Sequence, residues 1–243
     1  MSQKAISSAQ VFLSIPGSFH VVTVLSSCPG VDYPVQLKRR KRRIRKGRRT
    51  LEKLTLENAK EINAAMVTEP GLLLHAANVS AAMGAMAEHF GEDREHWEAV
   101  GWLHDYDYEK YPEEHLAHTE EPLRALGVPE EDIRAILSHG YGICTDVEPV
   151  TNMEKSLFTV DELTGIVQAA ARMRPNGITD MAVKSFMKKW KDKRFAAKCD
   201  RPLILKGCEM LEMDIKEVSA IVIEGMKAHA EELELTGAEE AHA

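Results

Sequence analysis

Four of the chain's ten histidines, together with two aspartates, stand where a solvated surface does not account for them: His75, His104 with Asp105, His118, His139 and Asp161. Imidazole and carboxylate groups hold first-row transition metals and move protons near neutral pH. His75 lies three residues after Leu72 and four before Val79, at the border of an apolar stripe. Alone, it reads as a core histidine bonded to a backbone carbonyl. His104-Asp105 closes a helix whose inner face carries Trp97 and Gly101, and adjacent side chains at a helix end can both bend toward one point. His139 ends another helix beside Gly140, which lets neighbours approach closely, and His118 precedes a cap at Thr119. Asp161 falls four residues after Leu157 and three before Thr164, inside a core-facing stripe. A bare carboxylate there would cost several kcal/mol, so it needs a cation, a network of donors or a metal. Several histidines in similar settings favour the metal.

Helices must position these groups. Leu72, Ala76, Val79, Met83, Met86 and Phe90 alternate at four and three residues, an amphipathic helix ending near Gly91. Thr119 is expected as an N-cap with Pro122 in the first turn and Gly127 after the last, and Pro129 starts a helix that stops at Gly140. The stripe Met153, Leu157, Val160, Thr164, Val167 and Ala171 is closed by Pro175-Asn-Gly177. Val183, Phe186 and Trp190 mark the next helix, followed by helices from about Pro202 to Met213 and from about Ile215 to Glu234. Loops are short and strands hard to find, so the expected fold is an all-α bundle over residues 51–235, with a tail from Thr236 to Ala243 that has nothing to bury. The methionines at helical spacings, Met83, Met86, Met153, Met173, Met187 and Met210, read as core.

Composition narrows the function. The chain is 44% hydrophobic and 28% charged, enough apolar material for a sizeable core. Aromatics at 6% argue against an all-β sandwich. No run approaches the ~18 apolar residues of a membrane span, so no membrane partner is expected. Cys28, Cys144, Cys199 and Cys208 form no C-x-x-C, which sets aside a disulfide scaffold and a zinc ribbon and suggests a reducing cytoplasm. No phosphate-cradling glycine loop or serine triad is present. The net charge of -7 hides an asymmetry: residues 1–49 carry +10 and the remainder -17. Lys38 to Arg49 holds ten basic residues in twelve, too self-repelling to bury a core. Residues 1–50 are therefore expected to be a disordered extension outside the domain. Nucleic-acid association is expected only through that basic segment.

The stretches GWLHDYDYEKY, AILSHG, TVDELTGIV and VKSFMKKWKDKRFAA, with an early His75, resemble the HD-domain metal-dependent phosphohydrolases, in particular the HDIG-type subgroup, from about Leu51 to Leu235. Tyr106-Asp107 stands where the subgroup's name has Ile-Gly. The resemblance implies that His75, His104, Asp105 and Asp161 hold a first metal. It implies that His118 and His139 serve a second, with Asp105 bridging. His115 competes with His118, which the following Leu-rich helix favours. The metal would be Mn, Fe, Co, Ni or Zn, as one or two ions, and the reaction hydrolysis of a nucleotide or small phosphate ester by metal-activated water. The same ligand set would also suit a diiron oxygenase, or a regulatory module that keeps the metal for stability. Asp105 is thereby in the reaction centre. Asp107 is either a water-orienting group or proton acceptor, or a loop acid capping a helix. Lys184 to Arg201 forms a basic cluster in an acidic domain. Lys184, Lys188, Lys193 and Arg201 are its candidates for holding a phosphorylated substrate, against the plainer reading of a solvated helix face.

Overall fold

A computed structural model describes residues 51–237, together with the backbone of residues 9–15 and 18–24. The chain divides into two units, residues 1–46 and 47–243. In the first, β1 (Ala9–Ile15) and β2 (Ser18–Val24) pair antiparallel, with Ala9 opposite Val24 and Ile15 opposite Ser18. The basic run Lys38–Arg49 lies outside the described residues, and so does most of the extension expected to be disordered.

The second unit is all-α. Its described residues form α1 (Leu56–Asn63), α2 (Pro70–Phe90), α3 (Arg94–Leu103), α4 (Glu120–Leu126), α5 (Glu130–Ser138), α6 (Asn152–Arg172), α7 (Val183–Lys191), α8 (Arg201–Leu211) and α9 (Ile215–Ala228), with a 3-10 turn at Pro112–Glu114. The two longest helices make the centre. α2 packs on α3, α6 and α9, and α6 packs also on α5 and α8. Val79, Met83 and Met86 of α2 and Leu157, Leu163 and Val167 of α6 are fully buried, each stabilising by about 1.5–3 kcal/mol relative to exposure.

Local chemistry sets the helix ends. α2 begins with Pro70 in its first turn and a Glu69 carboxylate that accepts from the Leu72 N–H at 2.7 Å. It ends at Gly91 with φ 72°, a left-handed conformation that costs glycine nothing. α6 opens on a reciprocal capping box between Thr151 and Glu154. Thr119 precedes α4 as expected, but its hydroxyl makes no capping bond.

α9 stops at Ala228 rather than running to Glu234. The chain turns back there, burying Leu233 and Leu235. The Leu235 N–H donates to Ala230 O, and Leu235 O accepts from the Ile178 N–H, both at 2.8 Å. Thr236, expected to begin the loose tail, bridges Gly177, and residues 238–243 lie outside the description. Met173, expected in the core, is 64% exposed past the end of α6. Among the described residues no helix is long and apolar enough to cross a membrane.

Candidate metal centre

His75 sits in the second turn of α2, and His104 is the C-cap of α3. Gly101 lets α3 lie close on α2: a β-carbon there would fall 3.0 Å from Met83 Cγ and 3.1 Å from both Ser80 Cα and Val79 O. The turn carrying Asp105 is tied to the start of α2 by Glu109. Its carboxylate accepts from the N–H groups of Thr68 and Glu69 at 2.6 and 2.9 Å and from the Thr68 hydroxyl at 3.0 Å. Asp161 comes from the middle of α6, and His139 is the C-cap of α5.

These elements bring five of the six expected ligands together. His75 Nε2 lies 2.9 Å from Asp161 Oδ1 and 3.1 Å from His104 Nε2. Asp105 stands between two groups of imidazoles. Its Oδ2 is 3.3 Å from His104 Nε2 and 3.6 Å from His75 Nε2. Its Oδ1 is 3.3 Å from His115 Nε2 and 3.7 Å from His139 Nε2. Two groups have the geometry to hold a metal ion: His75, His104 and Asp161, and His104, Asp105 and His139.

The sixth expected ligand, His118, is not among them; His115 takes its place. Leu116 adopts φ 69°, turning the chain so that its own side chain is buried and His115 faces inward. Gly140 makes the room, since a β-carbon there would meet Leu116 Cδ1 at 2.7 Å and Cys144 Sγ at 2.6 Å. His118 points away, pairs with Glu114 at 2.6 Å and stacks on Tyr111.

Asp107 is fully buried and accepts from His115 Nδ1–H at 2.9 Å and from the N–H groups of Leu116 and His118 at 3.1 and 3.0 Å. With its oxygens so occupied it positions His115, and the expectation that it orients water or takes a substrate proton is set aside. Burial raises its pKa, but these donors outweigh burial and hold it below the ordinary value.

The tautomers follow from the remaining partners. His104 Nδ1 meets Gly101 O at 2.8 Å and His139 Nδ1 meets Ile136 O at 2.6 Å. A carbonyl can only accept, so both rings carry hydrogen on Nδ1. His115 Nδ1 likewise donates to the Asp107 carboxylate. The Nε2 atoms of neutral His115 and His139 therefore present lone pairs to each other at 3.1 Å. That contact is repulsive unless a proton or a cation lies between them.

Charge points the same way. Burial works against ionised Asp161, but His104 and His75 hold its pKa well below the carboxylate range. Asp105 is lowered as well, burial being overcome chiefly by His104. Burial opposes the imidazolium of His104, yet Asp105 and Asp161 raise its pKa well above the usual value. His139 is pushed down to about 4 by burial and by His104. Two ionised carboxylates and inward lone pairs form a donor set that could hold a metal ion.

The groups open into a cleft of about 500 Å³. Tyr108 and Ile143 line it, and Lys198 is the one lysine or arginine that does so among the described residues. Lys198 is not among the expected substrate-holding cations, and the four that are lie elsewhere. Lys184 and Lys188 are exposed on α7 and line neither this cleft nor the cavity beside it. Arg201 donates to the backbone carbonyls of Trp190, Asp192, Phe195 and Ala196, which makes it a brace for the segment after α7. Lys193 lines the neighbouring cavity.

No protein-family model, curated protein or solved structure matches this chain.

Proposed function

We propose that this chain is a metal-dependent phosphohydrolase of the HD superfamily, acting on a nucleotide or small phosphate ester. The observation that carries the reading is the Asp105 carboxylate, which turns one oxygen toward His75 and His104 and the other toward His115 and His139. His75, His104, Asp105, His139 and Asp161, with His115 beside them, would hold one or two ions of the Mn, Fe, Co, Ni or Zn type.

A divalent ion bound there supplies Lewis acidity for the phosphoryl oxygens and lowers the pKa of water toward neutrality. The chain's own groups do the rest. Gly101 O, Ile136 O and Asp107 fix the ring orientations of His104, His139 and His115, so the donor atoms need no rearrangement when a ligand arrives. Lys198 places positive charge at the cleft, where it offsets a phosphoryl dianion. Tyr108, edge-on to His115 at 5.1 Å between ring centroids, offers a flat wall for an organic leaving group.

The test is metal analysis of chain purified without chelator, then a screen of nucleotides and 4-nitrophenyl phosphate with Mn, Co and Ni. Metal in the purified chain and metal-dependent release of phosphate are expected, with both lost in H104A/D105A. A chain that acquires none of these metals refutes the reading. So does one that holds metal but turns substrate over only with iron and oxygen, which would make it an oxygenase. Metal raising the melting temperature with no ester hydrolysed would leave a regulatory module.

A further inference from the structure

Beside the metal cleft lies a larger cavity of about 720 Å³, formed by the end of α7, the segment after it and the start of α8. Lys198 and Cys199 line both spaces, so the two adjoin. The walls combine two chemistries. Trp190, Pro202 and Leu205 supply apolar surface, Leu205 being 47% exposed although it is a leucine on a packed helix. Lys191, Lys193 and Lys198 supply positive charge, all three exposed and none held by a hydrogen bond or ion pair among the described residues. The one acid in the lining, Asp200, is committed to the Leu203 N–H as the cap of α8. Arg201 is held by its backbone carbonyls over the Trp190 ring. The helical body carries strong net negative charge, so three uncommitted lysines around an apolar hollow are a local inversion of sign suited to an organic anion.

We infer that this cavity is a second anion subsite, and that the substrate is an organic phosphate whose apolar body carries a further phosphate or carboxylate to Lys191 and Lys193. The inference deepens the hydrolase reading and rests on it. The ester to be cleaved lies at the Asp105 cleft, Lys198 stands between the two negative groups, and the body of the molecule crosses the shared wall. Specificity then comes from the distal anion rather than from the scissile phosphate, which every phosphate ester presents.

The experiment uses the full chain and two probes, phenyl phosphate and adenosine 3′,5′-bisphosphate. Binding of each is measured by calorimetry without added metal, and turnover with Mn. Wild type is expected to bind the bisphosphate more tightly. K191Q/K193Q is expected to lower that preference roughly fivefold, the worth of two exposed charge contacts. Both substitutions are on the surface, and a circular dichroism melt confirms the fold. Equal affinity of wild type for the two probes, or the same change for both in the variant, overturns the inference. Failure of the hydrolase reading shows separately, as absence of turnover of either probe by Mn-loaded wild type whatever the binding ratio.

Discussion

Asp107→Asn separates the positioning of His115 from its ligation. Asp107 accepts three hydrogen bonds: Oδ1 takes His115 Nδ1–H and Leu116 N–H, and Oδ2 takes His118 N–H. An amide keeps one acceptor oxygen. In its better orientation it turns an NH2 group toward the His118 N–H, losing that bond and setting donor against donor. A hydrogen bond to a charged group is worth about 1.5–3 kcal/mol, and the site is fully buried, so the loss is about 2–3 kcal/mol. In a domain of this size that lowers Tm by roughly 5–10 °C. The ring of His115 also loses the carboxylate that fixes its tautomer, a change that typically costs 10–100-fold in metal affinity.

Two controls make the argument refutable. His115→Ala removes the ligand but leaves the Leu116 and His118 bonds, so it should lose metal with a smaller loss of Tm. His118→Ala removes a side chain that is 40% exposed and paired with the exposed Glu114; it should change Tm by no more than about 0.5 kcal/mol equivalent and leave metal content alone. Calorimetry of metal-free protein and competition with a chelating dye read the two quantities. If Asp107→Asn keeps full stability and metal affinity, or if His118→Ala loses metal as His115→Ala does, the loop geometry argued above is wrong.

Other expectations follow from single contacts. Gly101→Ala places a β-carbon against the backbone of α2; overpacking of about 1–3 kcal/mol exceeds the ~1 kcal/mol gain in helix propensity, so Tm should fall and metal binding weaken, and a raised Tm would count against the packing argument. The half-buried His96 donates to buried Asp132 at 2.6 Å, and that bond raises its pKa against the opposing effects of burial and Lys53, with Asp93 also nearby. A raised folded-state pKa means the contribution is complete below the ordinary histidine value of about 6.5 and fades as pH rises through the folded value. Metal-free protein should therefore lose Tm across that rise, and His96→Gln should flatten the profile; identical profiles for the two would contradict the assignment.

Much of the scaffold was legible because its signals are local. Gly91 and Gly127 end helices in the left-handed conformation, and Pro129 stands immediately before α5. His75, His104, Asp105, His139 and Asp161 were legible as a group because each falls on a helix face or end. The Leu-rich helix after His118 favours it over His115 in sequence, whereas the inward turn of His115 depends on Leu116 adopting positive φ, which its residue type disfavours and nothing nearby announces. The early end of α9 has no Gly or Pro just past Ala228, and Gly225 lies inside the last turn; distant burial of Leu233 and Leu235 decides it. Likewise, periodicity places Lys184 and Lys188 on a ridge but cannot say what that ridge faces. Glu109, which ties the His104–Asp105 turn to α2, looks in sequence like any solvated acid.

The two buried imidazoles share one device that explains why histidines at helix ends serve here. A helix leaves its last carbonyls without intrahelical partners. His104 and His139 are both C-caps, and each returns its Nδ1–H to the carbonyl three residues back, Gly101 O and Ile136 O. At Gly101 the bond gives the carbonyl its partner, at Ile136 it joins a longer bond from the His139 N–H at 3.4 Å, and in both it fixes the ring with Nε2 outward. His115 caps a 3-10 turn with ψ 135°, and its Nδ1–H goes instead to a buried carboxylate, Asp107. The neighbouring residues fit the same logic: Asp105, one past the cap, extends where the helix has stopped, and Gly140, one past the other, clears space for Leu116. The His-Asp and His-Gly dipeptides thus carry structural information at helix ends that they would lack in mid-helix, where the carbonyl three residues back is already bonded.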